Sequence, residues 1–407
     1  GALRGGRVAV SLVLEPKTAV LVLALRDAGA EVAVFGAANE TDPEVAQALA
    51  ARGLKVFAPD RRVGAATAAA VDAAHAAGVL NWAPELLIDD GSHLIRLAHR
   101  PRARALRTLR GASEETTSGV RPLRDMHAAG HLRIPVIAAN DARTKTGFDN
   151  LIGTGQSCVF AIADALDAPQ LARFGFARGT AGQRWAVVGY GPVGVGVARF
   201  AAALGARVTV VEQDAVRALA ALHDGFEAKR AAEALPEADV VVSATGMWHT
   251  LDADALASLR PGAAVAVAGG VDDELALDEL LVRGWEATPL TGDIDRWAPA
   301  SAAGSEPGVL VLARGAGVNY TAAEGNPIEV MDLSFATQLA SLEILHRGGL
   351  SAGVHALPSE VEDRVARAAL VSRGGSADPP PHTQRAATAG RSWRAHRYQP
   401  APDQPEG

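Results

Sequence analysis

Three polar segments of the sequence contain residue types that can take a proton from a hydroxyl group. They span residues 89–91 (DDG), 113–119 (SEETTSG) and 140–150 (NDARTKTGFDN). Each residue alone has a structural explanation as a strand-end cap, a helix start or a surface charge. A lysine such as Lys145 together with several carboxylates can, however, deprotonate a hydroxyl group during hydride transfer. The combination therefore favours a catalytic site.

A fourth segment predicts a nucleotide cofactor. Residues 189–194 (GYGPVG) follow the strand-like run 185–188 and precede a helical run from about Val195. The first glycine of such a loop permits the turn, the second admits a pyrophosphate, and the third lets the helix pack on the strand. Glu212 closes the next strand, where a carboxylate binds ribose hydroxyls and repels a 2′-phosphate. We predict that the cofactor is NAD rather than NADP and that it takes a hydride from a hydroxyl-bearing carbon. The alternative is that the glycine loop is an ordinary tight turn of an α/β sheet.

The elements that must position these segments alternate between short apolar strands and helical runs. The clearest strand-like runs are residues 7–12, 31–35, 55–57, 86–88, 185–188, 208–211, 240–243 and 264–267. Strands that alternate with helices form parallel sheets, and ligands bind at the carboxyl ends of such strands. The predicted fold class is α/β, with two Rossmann-like, doubly wound parallel-sheet domains and a C-terminal tail.

Four regions follow from this pattern. We expect a substrate-binding domain over residues 1–150, an NAD-binding domain over 151–320, and a helical return to the first domain over 321–371. Residues 372–407 are rich in Gly, Pro, Ser and Arg, a composition that forms a poor core. They are predicted to be a tail.

Composition and charge exclude several other classes of protein. Acidic residues (46) outnumber basic ones (39), and the net charge of -7 argues against binding to a nucleic-acid backbone. The single cysteine, Cys158, allows no intramolecular disulfide and no cysteine-based zinc site, so we expect it in the core and expect no metal. No apolar run approaches the roughly 18 residues of a membrane span, and no leader opens the chain. We expect a cytoplasmic protein without a nucleic-acid or membrane partner.

Five strings together resemble one enzyme family. They are SEETTSG, NDARTKTGFDN, GYGPVGVG, GVNYTAAEGNPIEVMDLSF and VHALPSEVED, and they resemble S-adenosylhomocysteine hydrolases from the first strand to about residue 370. The strings LEPKTAVL and EGNPIEVMDLSF resemble the archaeal-type branch. In that family NAD⁺ oxidises the nucleoside 3′-hydroxyl, which acidifies the C4′ proton. The 5′ substituent is then eliminated, water adds, and the ketone is reduced.

The resemblance implies a role for each matched residue. Lys145 and Asp149 would bind the ribose hydroxyls and serve the 3′ oxidation, Asp90 and Glu115 would contact the substrate near C4′ and C5′, and Asn140 would lie beside them. Further substrate contacts are implied for Glu15 and Lys17, at the adenine-edge segment, and for Asn326. NAD contacts are implied for Thr116, Thr117, Ser118, Asn150, Gly189, Gly191, Pro192, Val193, Gly194, Glu212, Gly269 and Asn319.

Three histidines of the family pattern are replaced in this sequence. Val13 stands where the family has an acid or base at the 5′ position, Gly270 replaces the histidine of a glycine–histidine pair, and Asn326 replaces that of glycine–histidine–proline. Pro192 and Val195 also replace the usual charged or bulky residues of the cofactor loop. A positioned acid or base is worth roughly 10²–10⁴-fold in rate. These losses should therefore change the reaction near the leaving group and the incoming water.

Our hypothesis is an enzyme that reduces the 3′-ketone before water adds, so that a 4′,5′-unsaturated nucleoside leaves. With a hydroxyl as leaving group this is a net dehydration, of a kind that a nucleoside-antibiotic pathway could require. One alternative is an ordinary S-adenosylhomocysteine hydrolase in which another residue, such as His93 or His249, replaces the lost imidazoles. A further alternative is an inactive paralogue that binds NAD and regulates a partner. The resemblance also implies a homotetramer, although the tail from residue 391 does not reproduce the lysine–tyrosine ending of many members.

Overall fold

The computed structural model describes residues 3–101, 104–174, 179–269, 273–302 and 308–379. Residues 1–365 form a compact unit that contains two β-sheets, and a second unit starts at residue 366. In the second unit the Arg367 guanidinium donates to the Ala377 carbonyl oxygen at 3.3 Å. Gly270 and the tail from residue 391 lie outside the described residues, so the predictions for them stay open. The four predicted domain boundaries likewise stay predictions.

Fifteen strands and fifteen α-helices occur in the described ranges. The strands are β1 (Arg7–Ser11), β2 (Glu31–Phe35), β3 (Lys55–Phe57), β4 (Leu86–Asp89), β5 (Gly111–Glu114), β6 (Pro135–Ala138), β7 (Arg184–Val188), β8 (Arg207–Val211), β9 (Glu227–Ala228), β10 (Val240–Ser243), β11 (Ala264–Val267), β12 (Trp285–Thr291), β13 (Ile294–Pro299), β14 (Val309–Leu312) and β15 (Gly353–His355). The helices are α1 (Pro16–Asp27), α2 (Pro43–Ala51), α3 (Ala65–Asn81), α4 (His93–Ala98), α5 (Thr117–Ala128), α6 (Arg143–Lys145), α7 (Gly155–Leu166), α8 (Pro192–Ala203), α9 (Ala215–His223), α10 (Ala231–Ala234), α11 (Ala253–Ala257), α12 (Leu277–Val282), α13 (Val318–Thr321), α14 (Ile328–Arg347) and α15 (Ser359–Ser372).

The two sheets confirm the predicted fold class. The first has the order β15-β6-β5-β4-β1-β2-β3, and all its pairs are parallel. The second has the order β12-β13-β14-β11-β10-β7-β8-β9 and is parallel from β14 to β9. In both sheets the strand order reverses beside the first strand of the series, where open α/β sheets form ligand crevices.

One edge of the second sheet differs from the prediction of a purely parallel sheet. Strands β12 and β13 form an antiparallel pair, and β13 also runs antiparallel to β14. Such a hairpin lengthens a sheet without a crossover helix, and mixed sheets often carry one at an edge. The hairpin turns at Gly292 and Asp293. The sequence did not predict it, because β12 is mostly exposed and lacks an apolar face.

The helices begin where the sequence supplies a suitable first turn. Helices α1, α2 and α8 each have a proline in the first turn, a position at which the missing N–H costs nothing. The Asp42 carboxylate accepts the Glu44 N–H at 2.9 Å and caps α2. Helix α8 starts at Pro192, three residues earlier than the expected Val195, because the proline fits that position.

The core consists mainly of aliphatic side chains, as the low aromatic content requires. Val8, Val10, Leu87 and Ile88 of the first sheet are each 0% exposed. Cys158 is also fully buried, in the cluster that packs α7 and α8 on the second sheet, which confirms the expected core position.

Candidate active site

A cavity of about 610 Å³ lies where loops after strands of both sheets meet. It is lined by sixteen of the residues predicted to bind substrate or cofactor, namely Glu15, Asp90, Glu115, Thr116, Thr117, Ser118, Lys145, Asp149, Asn150, Gly189, Gly191, Pro192, Val193, Glu212, Gly269 and Asn326. Four other predicted residues, Lys17, Asn140, Gly194 and Asn319, lie behind this lining. The polar segments that are far apart in the sequence are thus brought into one site.

Lys145 is the centre of the polar cluster. Its ammonium lies 2.9 Å from Glu115 Oε1 and 3.4 Å from Asp149 Oδ2, and it donates to Asn150 Oδ1 at 2.7 Å. The Lys145 side chain is 3% exposed. Burial by itself would lower the pKa of Lys145, but the carboxylates of Asp149 and Glu115 outweigh it, so the pKa is raised. Lys145 therefore stays protonated.

A π-helix (Thr146–Thr154) between α6 and α7 places Asp149 and Asn150 around that ammonium. Segments with i→i+5 hydrogen bonds are rare and are concentrated at functional sites. The wider turn lets residues four and five positions beyond Lys145 both reach its ammonium. No feature of the sequence predicted this local geometry.

Asn150 and Asn140 extend the cluster toward the start of α5. Asn150 Nδ2 donates to Asn140 Oδ1 at 3.1 Å, and the Thr117 hydroxyl donates to the same oxygen at 3.2 Å. Asn140 is 4% exposed and does not line the cavity. Its contacts are those of a residue that orients Asn150 and Thr117, rather than those of a residue that touches a ligand.

Two carboxylates of the cavity hold their protons more tightly than free side chains do. Burial raises the pKa of Asp90 to about 6, against the opposing effect of the Lys145 charge. Burial likewise raises the pKa of Glu115 well above its ordinary value, even though Lys145 lies beside it. Buried acids of this kind can take up and return protons near neutral pH.

Asp89 and Glu114, which the sequence did not single out as site residues, hold the loops that carry these acids. Glu114 accepts the N–H groups of Gly91 at 3.0 Å, Ser92 at 2.9 Å and Thr116 at 3.1 Å. Asp89 Oδ2 accepts the Ile95 N–H at 2.8 Å. Both side chains are 0% exposed. Their position directly before Asp90 and Glu115 at two strand ends was the available signal.

Asn326 joins the cluster from the loop before α14. Its Nδ2 donates to Asp149 Oδ1 at 2.5 Å and to Thr154 Oγ1 at 3.1 Å. The Ser157 hydroxyl donates to Asn326 Oδ1 at 3.0 Å, which fixes the orientation of the amide. The residue that stands in place of an expected histidine therefore contacts the carboxylate that the resemblance assigns to the ribose.

The glycine loop has the geometry that a pyrophosphate requires. Gly189 has φ +94°, which favours glycine, and a Cβ at Gly194 would lie 1.9 Å from the Gly189 carbonyl oxygen. A Cβ at Gly191 would meet only Arg217 Nη1, at 3.7 Å, so this glycine faces open space. The Glu212 carboxylate accepts the N–H groups of Tyr190 at 2.6 Å and Asp214 at 2.9 Å, which ties the loop to the next strand end.

Two further observations fit a bound dinucleotide. Asn319 is 0% exposed, yet neither its Oδ1 nor its Nδ2 makes a hydrogen bond of good geometry among the described residues, although the Tyr320 hydroxyl lies close to its side chain. A buried amide without a partner is costly unless a ligand supplies one. Gly155 and Gly196 also bring α7 and α8 into backbone contact, since a Cβ on Gly155 would lie 2.6 Å from Gly196 Cα. The residues present therefore fit NAD.

Glu15 and Lys17 form an ion pair at a further part of the site. Lys17 Nζ donates to Glu15 Oε2 at 2.5 Å and to the Glu324 carbonyl oxygen at 2.7 Å. Burial raises the pKa of Glu15, and Lys17 acts in the opposite direction. Glu15 lines the cavity, while Lys17 supports it from behind.

The residues that stand in place of family histidines add no imidazole to the cavity. Val13 lines it, and no histidine does so among the described residues. His249 stacks on Trp248 with ring centroids 3.6 Å apart and lies 3.1 Å from the Asp278 carboxylate, outside the lining. His93 lies against Gly91, since a Cβ there would be 2.6 Å from His93 Nε2. Neither His93 nor His249 is itself a lining residue, although Trp248, on which His249 stacks, is one.

No group of three or more His, Cys, Asp or Glu side chains is arranged to hold a metal ion in the described ranges. Within the same ranges no helix is long and apolar enough to cross a membrane.

Comparison with known proteins gives two family matches that together span more than half of the chain. The model described as S-adenosyl-L-homocysteine hydrolase matches residues 1–104, and the model described as S-adenosyl-L-homocysteine hydrolase, NAD binding domain, matches residues 175–325. The second match includes the glycine loop and Glu212. NAD, as predicted, is therefore the cofactor.

Curated relatives cover nearly the whole chain. The sequence is 38% identical to the adenosylhomocysteinase of Thermotoga maritima over 400 residues, 96% of this chain and 93% of the relative. It is 38% identical over 381 residues to the S-inosyl-L-homocysteine hydrolase of Methanopyrus kandleri, with 91% and 84% coverage. It is 38% identical over 378 residues, with the same coverage, to the adenosylhomocysteinase of Thermococcus kodakarensis. The chain therefore belongs to the S-adenosyl-L-homocysteine hydrolase family, as its motifs predicted, and is an NAD-dependent enzyme of that family.

Proposed function

We propose that this enzyme dehydrates an adenine nucleoside. The 3′-hydroxyl is oxidised, the C4′ proton is removed, the 5′-hydroxyl is eliminated, and the 3′-ketone is reduced before water adds. The supporting observation is the content of the cavity, where Lys145, Asp149, Asp90 and Glu115 lie together but no histidine is present among the described lining residues. The groups for oxidation and deprotonation are thus retained, while Val13 offers nothing to a departing group or a water molecule.

Lys145 and Asp149 would share the oxidation step. Bound NAD⁺ supplies the hydride acceptor and returns the hydride at the end of the cycle. Because its pKa is raised, Lys145 acts as a donor that stabilises negative charge on the 3′-oxygen, and the proton of that hydroxyl passes to the Asp149 carboxylate. Asn326 holds Asp149 Oδ1 and leaves Oδ2 facing Lys145.

Asp90 and Glu115 would handle the C4′ proton. The ketone at C3′ acidifies that proton, and a carboxylate whose pKa is near the working pH is the most effective base. Asp90, with its pKa raised by burial to about 6, meets this condition. Because burial raises its pKa, Asp90 can also keep the C4′ proton until it passes that proton to another group.

Glu15 and Lys17 would bind the base. A carboxylate accepts from the amino group of adenine, and an ammonium donates to a ring nitrogen or, in hypoxanthine, to the carbonyl oxygen. We assign adenine to this end of the site. The similarity to an S-inosyl-L-homocysteine hydrolase makes hypoxanthine the competing base.

Hydrolysis of S-adenosylhomocysteine is the second candidate function. It is favoured by the 38% identity to the Thermotoga maritima adenosylhomocysteinase over 96% of this chain. In that case water would have to add without an imidazole at Val13 or Asn326. The proposed homotetramer is shared by both candidates.

The experiment is a product analysis with the NAD-loaded protein. S-adenosylhomocysteine, S-inosylhomocysteine and adenosine are incubated separately, and products are followed by mass together with the NADH absorbance. We expect adenosine to lose the mass of one water. Release of homocysteine at a much higher rate than dehydration would replace the proposal by hydrolysis.

A matched variant separates catalysis from cofactor binding. Lys145→Met keeps the length of the side chain without its charge, and we expect it to bind NAD but to form no NADH with any nucleoside. Absence of an NADH signal in the wild-type enzyme itself would support the inactive paralogue and contradict the proposed function.

A further inference from the structure

The phenol of Tyr320 is a polar group of the cavity that the proposed steps leave unused. Tyr320 is the one tyrosine among the described lining residues, and it shares the cavity with Val13, Asp90 and Glu115. It retains 40% of its accessible surface, as a side chain beside a cavity does. A hydroxyl as leaving group needs a proton donor, and the residue at Val13 cannot supply one.

The position of Tyr320 is fixed by its backbone. It follows the buried Asn319 on α13, and its N–H donates to the Gly317 carbonyl oxygen at 3.2 Å. A Cβ at Gly325 would lie 3.8 Å from Tyr320 Cδ1 and 3.8 Å from Glu15 Oε2, so the ring packs beside the base-binding end of the site. The ring thus lies near Glu15, in the cavity that Asp90 and Glu115 also line.

The surroundings of the hydroxyl keep it protonated. Although the residue as a whole is 40% exposed, the hydroxyl lies deep enough for burial to raise the pKa of Tyr320 well above its ordinary value. The carboxylates of Asp90, Glu115 and Asp149 raise it further, and a hydrogen bond with the Asn319 side chain acts in the opposite direction. A neutral phenol beside carboxylates is a hydrogen-bond donor at every pH at which the enzyme works.

We propose that Tyr320 is the catalytic acid that gives its proton to the departing 5′-oxygen. The assignment rests on the proposed dehydration. As the C4′ proton passes to a carboxylate, its C–H electron pair forms the C4′–C5′ double bond. The C5′–O bond breaks with its electrons on oxygen, and the Tyr320 proton converts that oxygen to water. The carboxylic acid that took the C4′ proton then reprotonates the tyrosinate, so no external acid is required.

The leaving group provides a chemical test of this role. Hydroxide is the conjugate base of water, whose pKa is about 15.7, whereas a thiolate leaves from a thiol with a pKa of about 8.5. Loss of a proton donor should therefore slow departure of a hydroxyl much more than departure of a thiolate. A side chain that only supports the fold would slow both equally.

The experiment compares the NAD-loaded wild type and Tyr320→Phe with two substrates, adenosine and S-adenosylhomocysteine. The thiolate leaving group of the second substrate serves as the control that needs no proton donor. We expect Tyr320→Phe to keep NADH formation and C4′ exchange with deuterium from solvent within about threefold, while formation of the unsaturated product falls by roughly 10²-fold. Tyr320→Leu serves as the second variant if the phenylalanine variant does not bind NAD.

A binding measurement separates failure of this inference from failure of the proposed function. In the NADH-loaded protein, which cannot oxidise the ligand, wild type should prefer adenosine over 5′-deoxyadenosine, and Tyr320→Phe should lose that preference. Dehydration by Tyr320→Phe at a rate within about threefold of wild type would overturn the assignment of Tyr320 as the acid.

If the wild-type enzyme forms no dehydrated product, the proposed function is refuted. If Tyr320→Phe also keeps the preference for adenosine over 5′-deoxyadenosine, the contact between Tyr320 and the 5′-hydroxyl is refuted as well.

Discussion

Asn326 holds the Asp149 carboxylate in place, with Nδ2 2.5 Å from Oδ1, while Lys145 lies 3.4 Å from the other oxygen. The Asn326 oxygen accepts from Ser157, so the amide cannot rotate to present its oxygen to the carboxylate without losing that bond. Asn326 is 5% exposed. A position where the family pattern has an imidazole therefore serves, in this chain, to orient a carboxylate that lies beside Lys145.

Asn326→Asp tests that relationship with an almost unchanged shape. The variant replaces a donor by a second carboxylate, which repels Asp149 and competes for Lys145. Because a hydrogen bond to a charged group contributes about 1.5–3 kcal/mol, we expect the single-turnover rate of NADH formation to fall at least ~10-fold. Ser157→Ala, which removes only the support behind the amide, should cost less. Equal rates for Asn326→Asp and wild type would show that Asp149 needs no such partner.

Glu362 of α15 positions the segment that carries Lys145. Its Oε1 accepts the Thr144 N–H at 3.0 Å, and its Oε2 accepts the Arg143 guanidinium at 3.1 Å. Arg143 is 82% exposed, so the ion pair itself adds little. We expect Glu362→Gln, which can still accept the Thr144 N–H, to keep kcat within about threefold. Glu362→Ala should lower kcat by about 10-fold, with a smaller change in KM, since the unpaired buried N–H costs about 1–3 kcal/mol.

A structural role limited to stability would give a different result for Glu362. In that case Glu362→Ala would lower the melting temperature while kcat, measured well below that temperature, stayed equal to wild type. Steady-state kinetics at one low temperature, together with a thermal melt of the NAD-loaded protein, distinguish the two.

Much of the fold could be predicted because the strands are short apolar runs between clear helix starts. The predicted runs 31–35, 55–57, 240–243 and 264–267 match strands of the structure residue for residue. Strand β5 (Gly111–Glu114) was missed because it begins with glycine and ends in two polar residues, and β6 (Pro135–Ala138) was missed because it begins with proline. Polar side chains at a buried strand end serve the site. The apolar pattern from which strands are predicted is therefore interrupted there.

The site could be predicted as a set of residues but not as a geometry. The motifs identified Lys145 and Asp149, yet they gave no sign of the π-helix that brings both Asp149 and Asn150 to the ammonium. They implied a substrate contact for Asn326, but they gave no sign that its amide would hold the Asp149 carboxylate or that Tyr320 would line the cavity. Such contacts depend on how two sheets pack together, which local sequence does not encode.

Gly155 tests the close approach of α7 and α8. An alanine there would place its Cβ 2.6 Å from Gly196 Cα and 3.1 Å from the Val197 nitrogen, and backbone atoms cannot move aside. We expect Gly155→Ala to lower the free energy of unfolding by about 1–3 kcal/mol. At Gly147 a Cβ meets nothing within 4 Å, so Gly147→Ala is the matched control and should change stability by no more than about 1 kcal/mol. Urea unfolding of the NAD-loaded proteins measures both, and equal values would refute the backbone contact.

Asp89 predicts a defined pH dependence of stability. Burial raises the pKa of Asp89 from 3.8 to about 7. The folded chain therefore binds this proton more tightly than the unfolded chain does. The stability from Asp89 is complete below about pH 4 and is lost as the pH rises through about 7. Asp89→Asn cannot ionise, and its amide oxygen can still accept the Ile95 N–H. We expect the free energy of unfolding of wild type to fall, relative to the variant, by at most about 1.4 kcal/mol per pH unit across that range. Urea unfolding at several pH values measures the difference, and parallel profiles for the two proteins would contradict it.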